Sequence, residues 1–148
     1  MNEKSKIIHY TLVFVQFAGI LYFALSGAAF PQNALVLKLQ AISVVLGFWA
    51  IIAMKLHTLS VLPSVKQGGQ LCTSGPYHLL RHPMYTAVLL LLFALLLNDY
   101  STIRLVVYLI VFIDLILKMN VEEKILLAHY TEYKNYMTKT KRIIPFLY

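Results

Sequence analysis

The chain has 148 residues, of which 59% are hydrophobic and only 13% charged. A water-soluble domain of this length carries about a quarter charged residues, so the composition excludes an ordinary soluble protein and indicates one integral membrane domain spanning 1–148. The net charge of +7 brings nucleic acid to mind, but the chain shows no basic groove or aromatic platform, and no nucleic-acid partner is expected.

Four apolar segments follow in order, predicted as helices over about 7–30, 34–56, 83–97 and 102–127. Backbone left unpaired in hydrocarbon is too costly for any other spanning form, so each reads as a transmembrane helix. The first run, Ile7 to Phe30, lacks a small-residue cleavage site and is expected to remain as a span rather than to be removed as a signal peptide. The second is interrupted by Lys38 and Gln40. The third and fourth apolar runs, Met84–Leu97 and Ile103–Leu117, fall short of about 20 residues, so their helices are expected to continue into polar flanks. Pro31-Gln32-Asn33 and Asn98-Asp99 mark turns, and Ser101 or Thr102 can cap the fourth helix. The longest connection, Lys55 to His82, contains Pro63, Gly68, Gly69, Gly75 and Pro76.

Charge placement gives the expected topology. With the N-terminus cytoplasmic, Lys4, Lys6, Lys55, Lys66, Arg81 and the six basic residues from Lys118 onward share that side, and only Lys38 and Arg104 face the other. Both termini are then cytoplasmic in a multi-pass membrane protein. The basic tail, with Tyr130, Tyr133 and Tyr136, is predicted as a cytoplasmic interfacial helix that folds back on the His82 turn. Membrane lipids are the expected surroundings, and the positive charge adds attraction to anionic headgroups.

Polar residues are scarce here, and membrane proteins keep them mainly where they act. They concentrate in Gly75-Pro76-Tyr77-His78-Leu79-Leu80-Arg81-His82-Pro83-Met84-Tyr85 and in Glu122-Glu123. Pro83 suits the first turn of a helix, which puts His82 at its entry and Tyr85 about one turn further on. An interfacial belt of tyrosine and arginine accounts for such residues singly, but less well for the ordered string. Asp114, Lys118 and Glu122 are spaced four apart and share one helix face. Either that face lines a pocket opposite His82 and Tyr85, or Lys118 merely neutralises Asp114 and reaches for the interface. The lone Cys72 excludes an internal disulfide and a cysteine-rich metal site, and no metal is expected.

The strings Gly75-Pro76-Tyr77, Arg81-His82-Pro83-Met84-Tyr85 and Glu122-Glu123-Lys124-Ile125-Leu126, with the tail Arg142-Ile143-Ile144-Pro145, resemble the isoprenylcysteine carboxyl methyltransferase family and the wider group of membrane methyltransferases that includes phospholipid N-methyltransferases. The resemblance covers roughly Leu59 to Phe146. It implies S-adenosylmethionine as cofactor and a lipophilic acceptor: a prenylcysteine-like carboxylate, or a lipid amine or thiol. It implies a cofactor region over about 69–85 and 118–145, with cofactor contacts at Leu71, Cys72, Tyr77, His82, Pro83, Met84, Tyr85 and Glu122. Lys118 stands where the prenylcysteine enzymes carry an arginine that meets the substrate carboxylate, and Arg81, Asp114 and Glu123 are supporting residues. A carboxylate and aromatic faces suit the cationic cofactor. No acid–base residue or nucleophile is expected, because methyl transfer by in-line displacement needs mainly positioning and exclusion of water. Two other readings compete: a nicotinamide-dependent isoprenoid reductase, and a small four-helix transporter or membrane assembly protein using Asp114 and Lys118.

Overall fold

A computed structural model describes residues 3–28, 30–31, 33–54, 71–145 and 147, without the side chains of 4–6. The predicted features at Gln32, Lys55, Pro63, Lys66, Gly68 and Gly69, and the first two residues of the predicted cofactor region, lie outside the described residues. So do Leu59 and Phe146, at the limits of the resemblance.

The described residues form five α-helices and one 3₁₀ turn: α1 (Glu3–Leu25), α2 (Ala34–Met54), the turn Gly75–His78, α3 (Pro83–Asn98), α4 (Thr102–His129) and α5 (Tyr133–Lys139). No strand occurs among them; one parallel bridge joins Leu80 to Lys141. Within α1 and α2, Ile7–Leu25 and Ala34–Met54 are long and apolar enough to cross a membrane. Large apolar side chains on both helices face outward, including Phe14, Phe17, Val45, Phe48 and Ile52. α3 is apolar but has only 16 residues, a rise of about 24 Å. α4 has 28 residues and rises about 42 Å, but charged residues interrupt it.

The helix ends obey local chemistry. α1 stops at Leu25, five residues before the predicted Phe30, because the chain turns at Ser26-Gly27 to pass the buried guanidinium of Arg104. A Cβ on Gly27 would lie 2.1 Å from Arg104 Nη1 and 2.4 Å from Asp99 Oδ2. Ser101 caps α4 by accepting from the backbone N–H of Arg104 at 3.2 Å. Arg104, assigned from the sequence to the outer side, is buried: Nη1 donates to Asp99 Oδ2 at 2.9 Å and the guanidinium lies 4.9 Å from the Phe23 ring centre. α4 runs two residues past its predicted end.

α2 packs mainly on α3 and α1 on α4, and α3 against α4 joins the two pairs. The core holds Phe23, Leu89, Leu92, Leu96, Val111, Leu115, Met119 and Ile143. α1 and α4 approach closely at Gly19, where a Cβ would lie 2.2 Å from Val111 Cγ2. That contact presses the inward face of α1, including Gln16 one turn earlier, onto α4.

The C-terminal segment folds back over the entry to α3. Arg81 N donates to Lys141 O at 2.7 Å, Lys141 N to Leu79 O at 3.0 Å and His82 N to Arg142 O at 3.0 Å. Thr86 Oγ1 reaches Ile143 O at 2.9 Å. The tail after Glu123 is not one continuous helix: α4 runs on to His129, Tyr130 caps its end, and a separate short helix, Tyr133–Lys139, follows with Tyr133 buried. Tyr136 donates to Tyr77 O at 2.6 Å, so this short helix braces the 3₁₀ turn.

Candidate active site

Gly75 and Pro76 build the first wall. Gly75 has φ +59°, a left-handed conformation that favours glycine, and a Cβ there would lie 2.9 Å from Ala53 Cβ and 3.1 Å from Trp49 Nε1. The turn therefore sits tight against the end of α2 and buries Tyr77, whose hydroxyl lies 3.9 Å from Met54 Sδ. Burial, with smaller contributions from Cys72, Tyr136 and Glu122, raises the Tyr77 hydroxyl above its ordinary pKa, so it stays neutral.

His82 and Pro83 build the second wall. Pro83 opens α3 where its missing N–H is harmless, and His82 is the N-cap. The imidazole stacks on Tyr85 at 5.5 Å between ring centres, with an 11° interplanar angle. Its two nitrogens face two carboxylates: Nδ1 lies 3.5 Å from Glu122 Oε2, and Nε2 lies 3.4 Å from Glu123 Oε1. Burial alone would lower the imidazole pKa. The contacts with Glu122 and Glu123 outweigh it and hold His82 above its ordinary value.

The two adjacent glutamates have different surroundings. Glu123 is enclosed: Arg81 Nε donates to Oε1 at 2.7 Å, and Arg142 donates to Oε2 from Nη2 at 2.6 Å and from Nε at 3.1 Å. Burial alone would raise this carboxyl; the bonds from His82, Arg142 and Arg81 outweigh burial and hold it at about 2. Arg81 also donates from Nη1 to Thr140 O and Met137 O, at 2.5 and 3.2 Å, which ties the C-terminal segment to the same knot. Glu122 is more open. Its Oε1 accepts from Tyr85 Oη at 2.5 Å, and the carboxylate forms part of a cavity wall.

That cavity has a volume of about 230 Å³. The 3₁₀ turn and α3 give it Tyr77, Met84 and Tyr85; α4 gives it Lys118 and Glu122; α1 gives it Gln16 and Phe17. Lys118 Nζ donates to Gln16 Oε1 at 2.8 Å and lies 5.3 Å from the Tyr85 ring centre.

Of the residues singled out in the sequence, Tyr77, Arg81, His82, Met84, Tyr85, Lys118 and Glu122 meet around this cavity. Pro83 is buried at the start of α3 without lining it. Leu71 and Cys72 stand before the 3₁₀ turn, also off the lining, and Cys72 Sγ donates to Ala53 O at 3.3 Å. Asp114 is buried one turn below Lys118, off the lining, and its Oδ2 has no hydrogen-bond partner. It forms no ion pair with Lys118, whose partner is Gln16, so direct neutralisation of one by the other is not realised.

Sequence reasoning missed Gln16, Phe17 and Met54 as lining, and Arg142 as the second arginine on Glu123. Gln16 is the one amide in an otherwise apolar stretch of α1, which is the signal that could have found it.

Comparison with known families decides the kinship. A model of the phospholipid methyltransferase family matches residues 31–133, which include the 3₁₀ turn, α3, and α4 with both glutamates. The chain belongs to the phospholipid methyltransferase family. That family lies within the isoprenylcysteine carboxyl methyltransferase-like group of membrane methyltransferases. No curated protein and no solved structure matches the chain. The family match begins after α1, so Gln16 and Phe17 enter the cavity from outside the shared region.

Proposed function

We propose that this protein is a membrane-embedded methyltransferase that moves a methyl group from S-adenosylmethionine to a lipophilic acceptor, with four spans and both termini on the cytoplasmic side. The observation that carries the reading is the Glu122 carboxylate on the cavity wall, oriented by Tyr85 and His82, between helices that present apolar surface outward.

The residues fit such a cofactor chemically. The cavity offers a carboxylate for a cationic group and the aromatic faces of Tyr77 and Tyr85 beside it. The volume lies just below the usual range of small-molecule pockets, about 300–1,000 Å³, so it takes part of a nucleoside cofactor, and the sulfonium and amino group suit the Glu122 end. Glu122, Tyr77, His82, Met84 and Tyr85 would hold it, with Leu71 and Cys72 leading into the turn. Bound, the cofactor supplies an electrophilic methyl group on a cationic sulfur.

The chain supplies position and dryness. Tyr85 holds one oxygen of Glu122 by a hydrogen bond, and the His82 ring lies 3.5 Å from the other. Burial of Tyr77, His82 and Lys118 keeps water from the space between cofactor and acceptor. Lys118 stands one helical turn from Glu122 on the same face, so an acceptor group held there lies beside the transferable methyl. Holding two reactants in line lowers the barrier without an acid, base or nucleophile.

Calorimetric titration of the purified protein with S-adenosylhomocysteine tests the reading. Binding is expected in the wild type, with affinity about tenfold or more weaker in Glu122→Gln, the loss of one charge-assisted bond. Absence of binding by the wild type would sink the proposal. Lys118→Ala is expected to impair turnover while leaving that affinity nearly intact.

A further inference from the structure

We propose that Gln16 is a positioning residue that holds Lys118 as a charged, donor-only subsite for an anionic oxygen of the acceptor, a phosphodiester or a carboxylate. The inference rests on the methyltransferase reading and deepens it, since it concerns the end of the cavity away from Glu122.

The chemistry of the pair is one-sided. An ammonium has three donors and no acceptor, so the amide oxygen of Gln16 must be the group that faces Lys118. That orientation turns the Gln16 NH₂ away from Lys118, and Lys118 keeps two N–H groups beyond the one it gives to Gln16. Gln16 and Lys118 both line the cavity. Both side chains therefore bring N–H donors to the cavity lining.

The partner's neutrality matters as much as its geometry. A buried ammonium needs a hydrogen-bonding partner, and a carboxylate is the commoner choice. Here the partner is an amide, and Asp114 one turn below makes no ion pair with Lys118. The group that Lys118 touches is thus neutral, and the carboxylates of Glu122 and Asp114 act on the ammonium only through space. Glu122 lies four residues on, about 6 Å along α4. The cavity is bipolar, anionic at Glu122 and cationic at Lys118, and this arrangement suits a cationic methyl donor beside an acceptor bearing an anionic oxygen. Gln16 belongs to α1, outside the residues that the family model matches.

The test uses the full-length protein in detergent and two anionic probes: a short-chain ethanolamine phospholipid and a prenylcysteine carboxylate analogue. A phosphotriester analogue of the phospholipid serves as the uncharged control. Binding is measured by calorimetry and methyl transfer by kcat and KM. Gln16→Glu keeps the size and places a carboxylate against Lys118. It should weaken binding of an anionic probe and raise its KM about tenfold, the scale of one charge-assisted contact, with kcat little changed. Gln16→Asn, shorter by one methylene, should show the same change in smaller measure. S-adenosylhomocysteine affinity should stay within about twofold in both variants, and the phosphotriester should bind wild type and Gln16→Glu alike. The probe bound more tightly by the wild type identifies the anion as phosphodiester or carboxylate. Unchanged affinity for the anionic probes in Gln16→Glu would overturn the proposal. So would an equal loss for the phosphotriester, or a parallel fall in S-adenosylhomocysteine affinity, because either marks a merely structural role. A wild type that binds S-adenosylhomocysteine but neither anionic probe refutes this inference and leaves the methyltransferase reading standing.

Discussion

Adjacent glutamates on one helix should fail in opposite ways when each loses its charge. Glu123→Gln removes a buried carboxylate on which Arg81, Arg142 and His82 converge, and leaves three donors facing an amide. Its carboxyl is held at about 2 against an ordinary 4.5, which corresponds to roughly 3 kcal/mol of stabilisation at neutral pH. Breaking a buried pair by removing one partner typically costs about 3–5 kcal/mol, and the loss in Glu123→Gln is expected on that scale. Those arginine contacts fasten the C-terminal segment through Thr140 and Met137, so the loss should appear first as exposure of the chain after α5. Glu122→Gln removes one oxygen from a half-open carboxylate whose partners are a tyrosine and a distant imidazole nitrogen. Its effect on stability should be small and its effect on S-adenosylhomocysteine affinity about tenfold or more. Thermal unfolding and limited proteolysis report the first loss; calorimetry reports the second. Equal effects of the two variants on both stability and affinity would refute the division of labour between them.

Three further outcomes follow from the same geometry. Gly75→Ala should destabilise the protein by about 1–2 kcal/mol from the left-handed backbone alone, and it should weaken S-adenosylhomocysteine binding, since Ala53 and Trp49 block the added Cβ and the turn carrying Tyr77 must shift; thermal unfolding and calorimetry check both. Glu123, whose folded pKa is lowered, contributes stability that is present above pH 4.5 and lost as pH falls through about 2. His82, whose folded pKa is raised, contributes stability that is present below pH 6.5 and lost as pH rises through its folded value; unfolding temperatures should thus fall on both sides of a plateau between about pH 4.5 and 6.5, and Glu123→Gln should abolish the acid limb. Single cysteines at the exposed positions Phe30 and Tyr100, in a Cys72→Ser background, should label from the side opposite the termini; labelling of both by a cytoplasmic reagent would overturn the proposed topology.

What could be read from the residues, and what could not, divides along physical lines. Helix entries were legible because their signals are local: Pro83 at the first turn, Ser101 as cap, Gly75-Pro76 as a turn. The end of α1 was not, because Gly27 yields to the Arg104 guanidinium, which arrives from a residue 77 positions later. Tyr133 and Tyr136 read as an interfacial belt because spacing records which residues share a helix face but not what that face meets. Here it meets the 3₁₀ turn and the Glu123 knot. The spacing of Asp114 and Lys118 left two readings open, a shared pocket face or a mutual pair, and the fold makes no ion pair between them. A lysine on α4 can bend toward Asp114 one turn below or reach sideways to α1. The close approach at Gly19 and Val111 brings an amide within 2.8 Å of the ammonium and makes the sideways bond. That choice is tertiary, and it decides where the ammonium stands: paired with Asp114 it would turn down its own helix, whereas bonded to Gln16 it stays at the cavity wall. Gln16 on α1, outside the residues that the family model matches, is thus what fixes the position of Lys118 at the end of the site where an acceptor is expected to arrive.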